Sequence, residues 1–156
     1  MIDWGALARA IHVLAVVAWI GGVWLVTTVL LPLMRGKPAE RWLGEFEAIE
    51  HRFAPQARIA VVLTLLSGLY MLFQHDLWGR FARIEFWWMH LMVGVWLVFA
   101  TLLFVLEPIV SRRVAHRRDS APSVSSLTLM LRLHGVMLAL SLLAIFAAVG
   151  GSHGLF

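Results

Sequence analysis

The chain contains no cysteine among its 156 residues. This absence excludes disulfides, iron–sulfur ligation and thiolate catalysis, because each of them needs a cysteine sulfur. The redox compartment stays undecided, since a chain without cysteine is compatible with an oxidising or a reducing one.

Charged residues are also few, at 14% of the chain against 61% apolar residues, and the mean hydropathy is +0.84. Soluble domains are usually about 45–50% apolar, so this composition predicts a membrane protein. The length allows one bundle, residues 1–156, and no second domain. The net charge of +4 does not indicate a nucleic-acid partner, because the basic residues fall in short loops beside apolar segments.

Acidic residues are missing from the interior of every apolar segment, and the hydroxyls of Ser67 and Ser141 stand alone there. The apolar segments show no nucleophile–base constellation, so hydrolytic chemistry is not expected. Any enzymatic activity would be redox chemistry supplied by a cofactor.

Four apolar segments, at about 6–33, 53–73, 84–106 and 127–149, are long enough to cross a membrane. They predict an all-α fold, a four-transmembrane-helix bundle embedded in the lipid bilayer. Glu107-Pro108 is expected to end the third segment, and Gly150-Gly151 the fourth. We see no internal repeat beyond the alternation of helical hairpins. The first segment is too long for the apolar part of a signal peptide, so we expect it to remain as a helix.

A short amphipathic segment, 38–53, precedes the second span. Phe46, Ile49 and Phe53 recur there at helical spacing, as does Trp42, with glutamates elsewhere around the segment. This pattern predicts a short interfacial helix between helices 1 and 2.

The Lys and Arg distribution predicts the orientation. Ten basic residues fall on the side of the first and third loops, and three, Arg9, Arg80 and Arg83, fall on the other side. The positive-inside rule then places both termini outward, on the periplasmic side of a cytoplasmic (inner) membrane.

His12 and His90 are the leading candidate ligands. Each lies ~9 Å inside its span from the same membrane face, so the two imidazoles share a depth. Imidazole is a common haem and metal ligand, and ionisable groups inside membranes are usually functional. The small residues and cations that would admit the ring and pair with its propionates are Gly22, Gly94, Arg9 and Arg83. The alternative is that both histidines only hydrogen-bond to neighbouring helices.

A second site toward the other membrane face is a weaker prediction. His134 lies early in the fourth span, and Arg58 and Arg132 are available as propionate partners. His51 precedes Pro55 and is expected at the interface, outside the hydrocarbon.

Copper is an alternative ligand. Met89, His90 and Met92 offer thioether and imidazole donors, which suit Cu(I). Successive helix positions point in different directions, however, and the other methionines are explained by apolar packing.

The run from Ala10 to Gly22, AIHVLAVVAWIGG, followed by Pro32, resembles the first helix of CopD-like membrane proteins and of the related HemJ-type protoporphyrinogen oxidases. Phe53-Ala54-Pro55, followed by the run SGLYM at 67–71, is similar to their second helix. The resemblance covers spans one to three, about two thirds of the chain.

This resemblance implies a helical bundle that handles haem b or copper, with His12 matching the first-helix histidine of both groups. HemJ-type proteins carry a lysine about where His90 stands, and a proline earlier in the first helix than Pro32. These departures favour a cytochrome-like role, because a second histidine gives six-coordinate iron suited to electron transfer.

The leading hypothesis is therefore a small membrane haem b protein that passes electrons to a quinone or an outer-face redox protein. A copper import or resistance protein and a HemJ-like oxidase are the alternatives. A homo-oligomer or a subunit of a larger complex is compatible with each of them.

Overall fold

The structure, a computed structural model, describes residues 2–35, 37–109 and 124–155. The described chain forms four long helices, which confirms the predicted all-α fold. Helix α1 covers Trp4–Leu25 and continues through a π-helical turn, Val26–Leu30, to Leu33. Helix α2 is Ala39–Gln74. Helix α3 covers Trp87–Thr101 and continues through a π-helical turn, Leu102–Leu106, to residue 109. Helix α4 is Val124–Ser152.

Each helix contains a stretch long and apolar enough to cross a membrane, with a mean hydropathy between 1.6 and 2.3. These stretches are Trp4–Leu33, Gly44–Gln74, Ile84–Ile109 and Thr128–Ser152. Many large apolar side chains point outward, including Leu14, Ile59 and Phe146, each more than 60% exposed. Such a surface is stable in lipid and not in water, so the chain is a multi-pass membrane protein.

The helices form two hairpins. α1 packs along α2, and α3 packs along α4, while α4 also meets α1 and α2 also meets α3. The central core joins all four helices, and Trp19 of α1 reaches Phe99 of α3 with ring centroids 4.8 Å apart. We call the end with Trp4, the 75–86 connection and Ser152 the termini end, and the end with Leu33 and Ile109 the loop end.

The predicted interfacial helix is continuous with the second span, because α2 runs unbroken from Ala39 through Pro55. Phe46 is buried, and Ile49 packs with it against the loop end of α1. The apolar face of this segment therefore contacts protein. The side chain of Trp42 and residues 110–123 lie outside the described residues.

The helix ends differ from the predicted ones. α4 continues past Gly150 to Ser152 and ends in a Schellman motif, in which Gly154 has φ 74° and the Leu155 N–H donates to the Gly150 carbonyl over 2.9 Å. Gly151 instead admits the Trp88 ring, since a Cβ there would lie 2.6 Å from a ring carbon.

Both π-helical turns stand two residues before a proline. The Leu31 N–H bonds to the Val26 carbonyl, and the Glu107 N–H bonds to the Leu102 carbonyl. The next residue in each case, Pro32 or Pro108, has no N–H to donate. The carbonyls of Thr27 and Leu103 therefore lose their regular helical donors.

The second helix of each hairpin repeats one pattern of polar residues. Ser67 follows Arg58 in α2, and the same interval separates Arg132 from Ser141 in α4. Both serine hydroxyls donate to a carbonyl one turn earlier. The two hairpins thus share a repeat that the sequence analysis missed.

Candidate functional site

His12 lies in the seam between α1 and α2, half-buried, with its Nδ1 3.0 Å from the Oγ of Ser67. The Ser67 hydroxyl donates its only hydrogen to the Leu63 carbonyl, 2.5 Å away. With that hydrogen given to a backbone carbonyl, we assign Ser67 as the acceptor and the imidazole hydrogen to Nδ1. The lone pair is consequently on Nε2, the nitrogen that a metal or haem iron would bind.

Gly68 makes room for this imidazole. A Cβ at position 68 would lie 3.3 Å from the His12 Cε1 atom, closer than ordinary packing allows. Ser67 supplies the acceptor and Gly68 the space, and both come from adjacent positions of α2. Sequence reasoning left both residues out of the site, although a serine–glycine pair inside an apolar span was a usable signal.

Trp19 follows His12 on the same face of α1, ~10 Å further along the helix axis. Its side chain is only 4% exposed, and its Nε1–H has no hydrogen-bond partner among the described residues. A buried donor without an acceptor costs about 1–3 kcal/mol. By contrast, the Trp96 Nε1–H donates to the Val61 carbonyl over 2.9 Å.

His90 has different surroundings. Its side chain is exposed near the termini end of α3, and its ring meets the Phe81 ring edge-on with centroids 5.4 Å apart. The neighbouring Met89 is buried with Trp88 and Ala147, so the two candidate copper donors face different environments. The pairing of His90 with His12 stays a prediction.

The other residues predicted around this pair are dispersed. The space beside Gly22 is occupied by the Phe53 ring, because a Cβ at position 22 would lie 2.0 Å from the Cζ atom of Phe53. Gly94 is exposed, with open space beside it. Arg9 is exposed on α1, whereas Arg83 pairs with Glu85 at 3.2 Å. The Phe53 ring thus fills the volume beside Gly22 that the sequence analysis assigned to a porphyrin.

At the loop end, Arg58 is engaged within the protein. Its Nε donates to the Leu103 carbonyl over 3.2 Å, and its Nη2 pairs with a Glu107 carboxylate oxygen at 2.8 Å. Arg58 therefore satisfies the carbonyl that the second π-helical turn frees. These two contacts of Arg58 were not predicted, since the sequence offered Arg58 as a partner for a haem propionate.

His134 of α4 is half-buried, and its Nδ1 lies 3.0 Å from the Met130 carbonyl of its own helix. A carbonyl can only accept, so the lone pair of His134 is also on Nε2. Arg132 and His51 are exposed. The second cofactor site stays a prediction.

No group of three or more His, Asp or Glu side chains that could hold a metal ion occurs within residues 2–35, 37–109 and 124–155. The Nε2 of His12 would suit one bond to a metal or haem iron. The class defined by the fold is a four-helix, multi-pass membrane protein with a fixed imidazole in the α1–α2 seam.

Comparisons with protein-family models, with curated proteins and with solved structures find no match. The resemblance to CopD-like and HemJ-type proteins therefore stays a prediction.

Proposed function

We propose that this protein binds haem b through His12 and transfers electrons within the membrane. The observation that carries the proposal is the hydrogen-bonded series from the His12 Nδ1–H to Ser67, and from Ser67 to the Leu63 carbonyl. Ligand histidines in metalloproteins commonly donate their second N–H in this way, which fixes the ring and raises its basicity.

Haem b, when bound, supplies one-electron redox chemistry. His12 would hold the iron through Nε2, and Ser67 would keep the ring in the required tautomer. The unpartnered Trp19 N–H supports a bound molecule on the same face of α1, because an acceptor from that molecule would satisfy it. Trp19 itself belongs to the apolar core that joins the four helices.

His90 would supply a second histidine to the iron, and Arg9 would pair with a propionate at the same end of the bundle. The exposed imidazole of His90 is accessible to a group at the bundle surface. The assignment of His90 can fail without that of His12, because His12 alone would still hold the iron.

The test is the haem content of the protein purified in detergent after expression with sufficient haem. We expect His12→Ala to lose the haem. His90→Ala should keep it but change from a low-spin to a high-spin spectrum. His153→Ala is the matched control, because His153 is exposed near the C-terminus and contacts its own helix.

Full haem retention in His12→Ala would overturn the proposal. Copper bound without porphyrin would favour copper handling instead, and oxidation of protoporphyrinogen by membranes containing the protein would favour a HemJ-like oxidase.

A further inference from the structure

The second helix of each hairpin carries an arginine nine residues before a buried serine, and each of these helices meets a π-helical turn of the other hairpin. In the first case α2 meets the turn Leu102–Leu106, and Arg58 fills the place between them. It donates to the freed Leu103 carbonyl and pairs with Glu107. The Glu107 carboxylate thus neutralises Arg58 at the loop end of the bundle.

In the second case α4 meets the turn Val26–Leu30 and the following Leu31–Leu33 turn. Arg132 stands at the position of Arg58, since it has the same spacing to the buried serine. Leu31, fully buried, stands at the position of Glu107, immediately before the proline. The acid that completes the first arrangement is therefore replaced by an apolar residue in the second.

A second arginine, Arg35, lies two residues beyond the end of α1. Met34 beside it is buried in the cluster against which Met130 and Leu131 of α4 pack. Within the described part of the chain, neither Arg35 nor Arg132 has an acidic partner, whereas the nearby Lys37 and Arg41 both pair with Glu45.

Large apolar side chains flank both arginines in the sequence. Leu33 at the end of α1, and Leu129 and Leu133 on α4, are each more than half exposed. An anion that binds here must tolerate an apolar surface beside the cations. Arginine guanidinium groups bind phosphate oxygens with matched geometry, and cations at membrane ends attract anionic lipids.

We propose that Arg132, with Arg35, binds the phosphodiester of an anionic phospholipid at the seam between α4 and the loop end of α1. The lipid phosphate takes the role that Glu107 has for Arg58, and the acyl chains lie along the exposed leucines. This site does not depend on haem binding, so it stands or falls separately from the proposed function.

The experiment is native mass spectrometry of the full-length protein, released from micelles that contain equal amounts of phosphatidylglycerol and phosphatidylcholine. We expect the wild type to retain phosphatidylglycerol preferentially. Arg132→Gln should lower the ratio of the two lipid adducts by about fivefold, the effect of one lost cation near a membrane surface. Arg132→Lys should keep part of the preference, since it preserves the charge without the guanidinium.

Arg80→Gln is the control, because it removes the same charge at the termini end, where Arg80 stacks on Phe86. It should leave the adduct ratio unchanged. The proposal is overturned if the wild type shows no preference, if Arg132→Gln matches the wild type, or if Arg80→Gln lowers the ratio as much. Arg132→Lys keeps the positive charge. If it retains part of the preference, the loss in Arg132→Gln comes from weaker lipid binding and not from misfolding.

Discussion

At the scale of single residues, the Ser67 hydroxyl orients the His12 imidazole. Ser67 turns His12 from an ambiguous imidazole into one with a defined tautomer, because the Ser67 hydrogen is already given to Leu63. His134 reaches the same tautomer through the Met130 carbonyl. His12 and His134 thus have different hydrogen-bond partners, one on a neighbouring helix and one on its own helix, and the sequence alone does not reveal either partner.

Ser67→Ala tests this preparation. We expect haem to be retained but its reduction potential to rise by roughly 20–60 mV, because an imidazole without its hydrogen-bond acceptor donates less to ferric iron. Ser67→Thr should restore the potential. Ser141→Ala is the matched control, since that hydroxyl donates to the Met137 carbonyl. Equal potentials in Ser67→Ala and the wild type would contradict the role of Ser67.

Trp19→Phe tests whether a bound molecule uses the buried indole N–H. We expect this variant to weaken haem affinity by about tenfold, the effect of one lost hydrogen bond to a ligand. Trp96→Phe is the control, because its N–H already donates to a protein carbonyl. Haem titration of both variants measures the difference, and equal affinities would contradict a ligand contact at Trp19.

At the scale of helices, close packing depends on particular glycines. The Phe53 ring of α2 lies against Gly22 of α1, where a Cβ would be 2.0 Å from the ring. Phe53 belongs to the segment predicted to lie on the membrane surface, and this contact helps to explain why that segment joins the bundle instead.

Gly22→Ala should therefore destabilise the bundle by about 1–3 kcal/mol, the usual cost of overpacking. Gly21→Ala is the matched control, because no atom lies within 4 Å of a Cβ at that position. It should be neutral or slightly stabilising, since alanine is the better helix former. Detergent unfolding followed by circular dichroism compares the two variants, and an equal loss in both would contradict the contact.

The helices themselves could be predicted from hydropathy, but their irregularities could not. α2 continues through Pro55, so the surface segment and the second span form one helix. Gly150-Gly151 was expected to end α4, yet the glycine with a positive φ that ends the helix is Gly154. Gly151 lies against the Trp88 ring instead. Prolines and glycines mark breaks and close contacts alike, and only the packing partner distinguishes them.

At the scale of the whole molecule, the four-helix fold followed from composition and segment length. The candidate site was only partly predictable. His12 was identified, but Ser67 and Gly68 come from another helix and depend on which faces of α1 and α2 meet. Arg58 was assigned to a cofactor because its partner Glu107 lies on a separate helix.

The orientation of the bundle is open to direct measurement. We expect both termini to face outward, because ten of the thirteen basic residues fall in or beside the first and third loops of the sequence. Since the chain has no cysteine, single cysteines at Ile2 and Leu155 and at Ala48 can be labelled one at a time in intact cells. A membrane-impermeant maleimide should label the first two and reach Ala48→Cys only after lysis. The reverse pattern would contradict the charge argument.

The central claim is that His12 binds haem iron. The most direct measurement is the visible spectrum of the purified protein, oxidised and reduced, for the wild type beside His12→Ala. The account predicts a b-type haem spectrum in the wild type and its loss in the variant. A wild type without porphyrin, or an unchanged spectrum in His12→Ala, would contradict it.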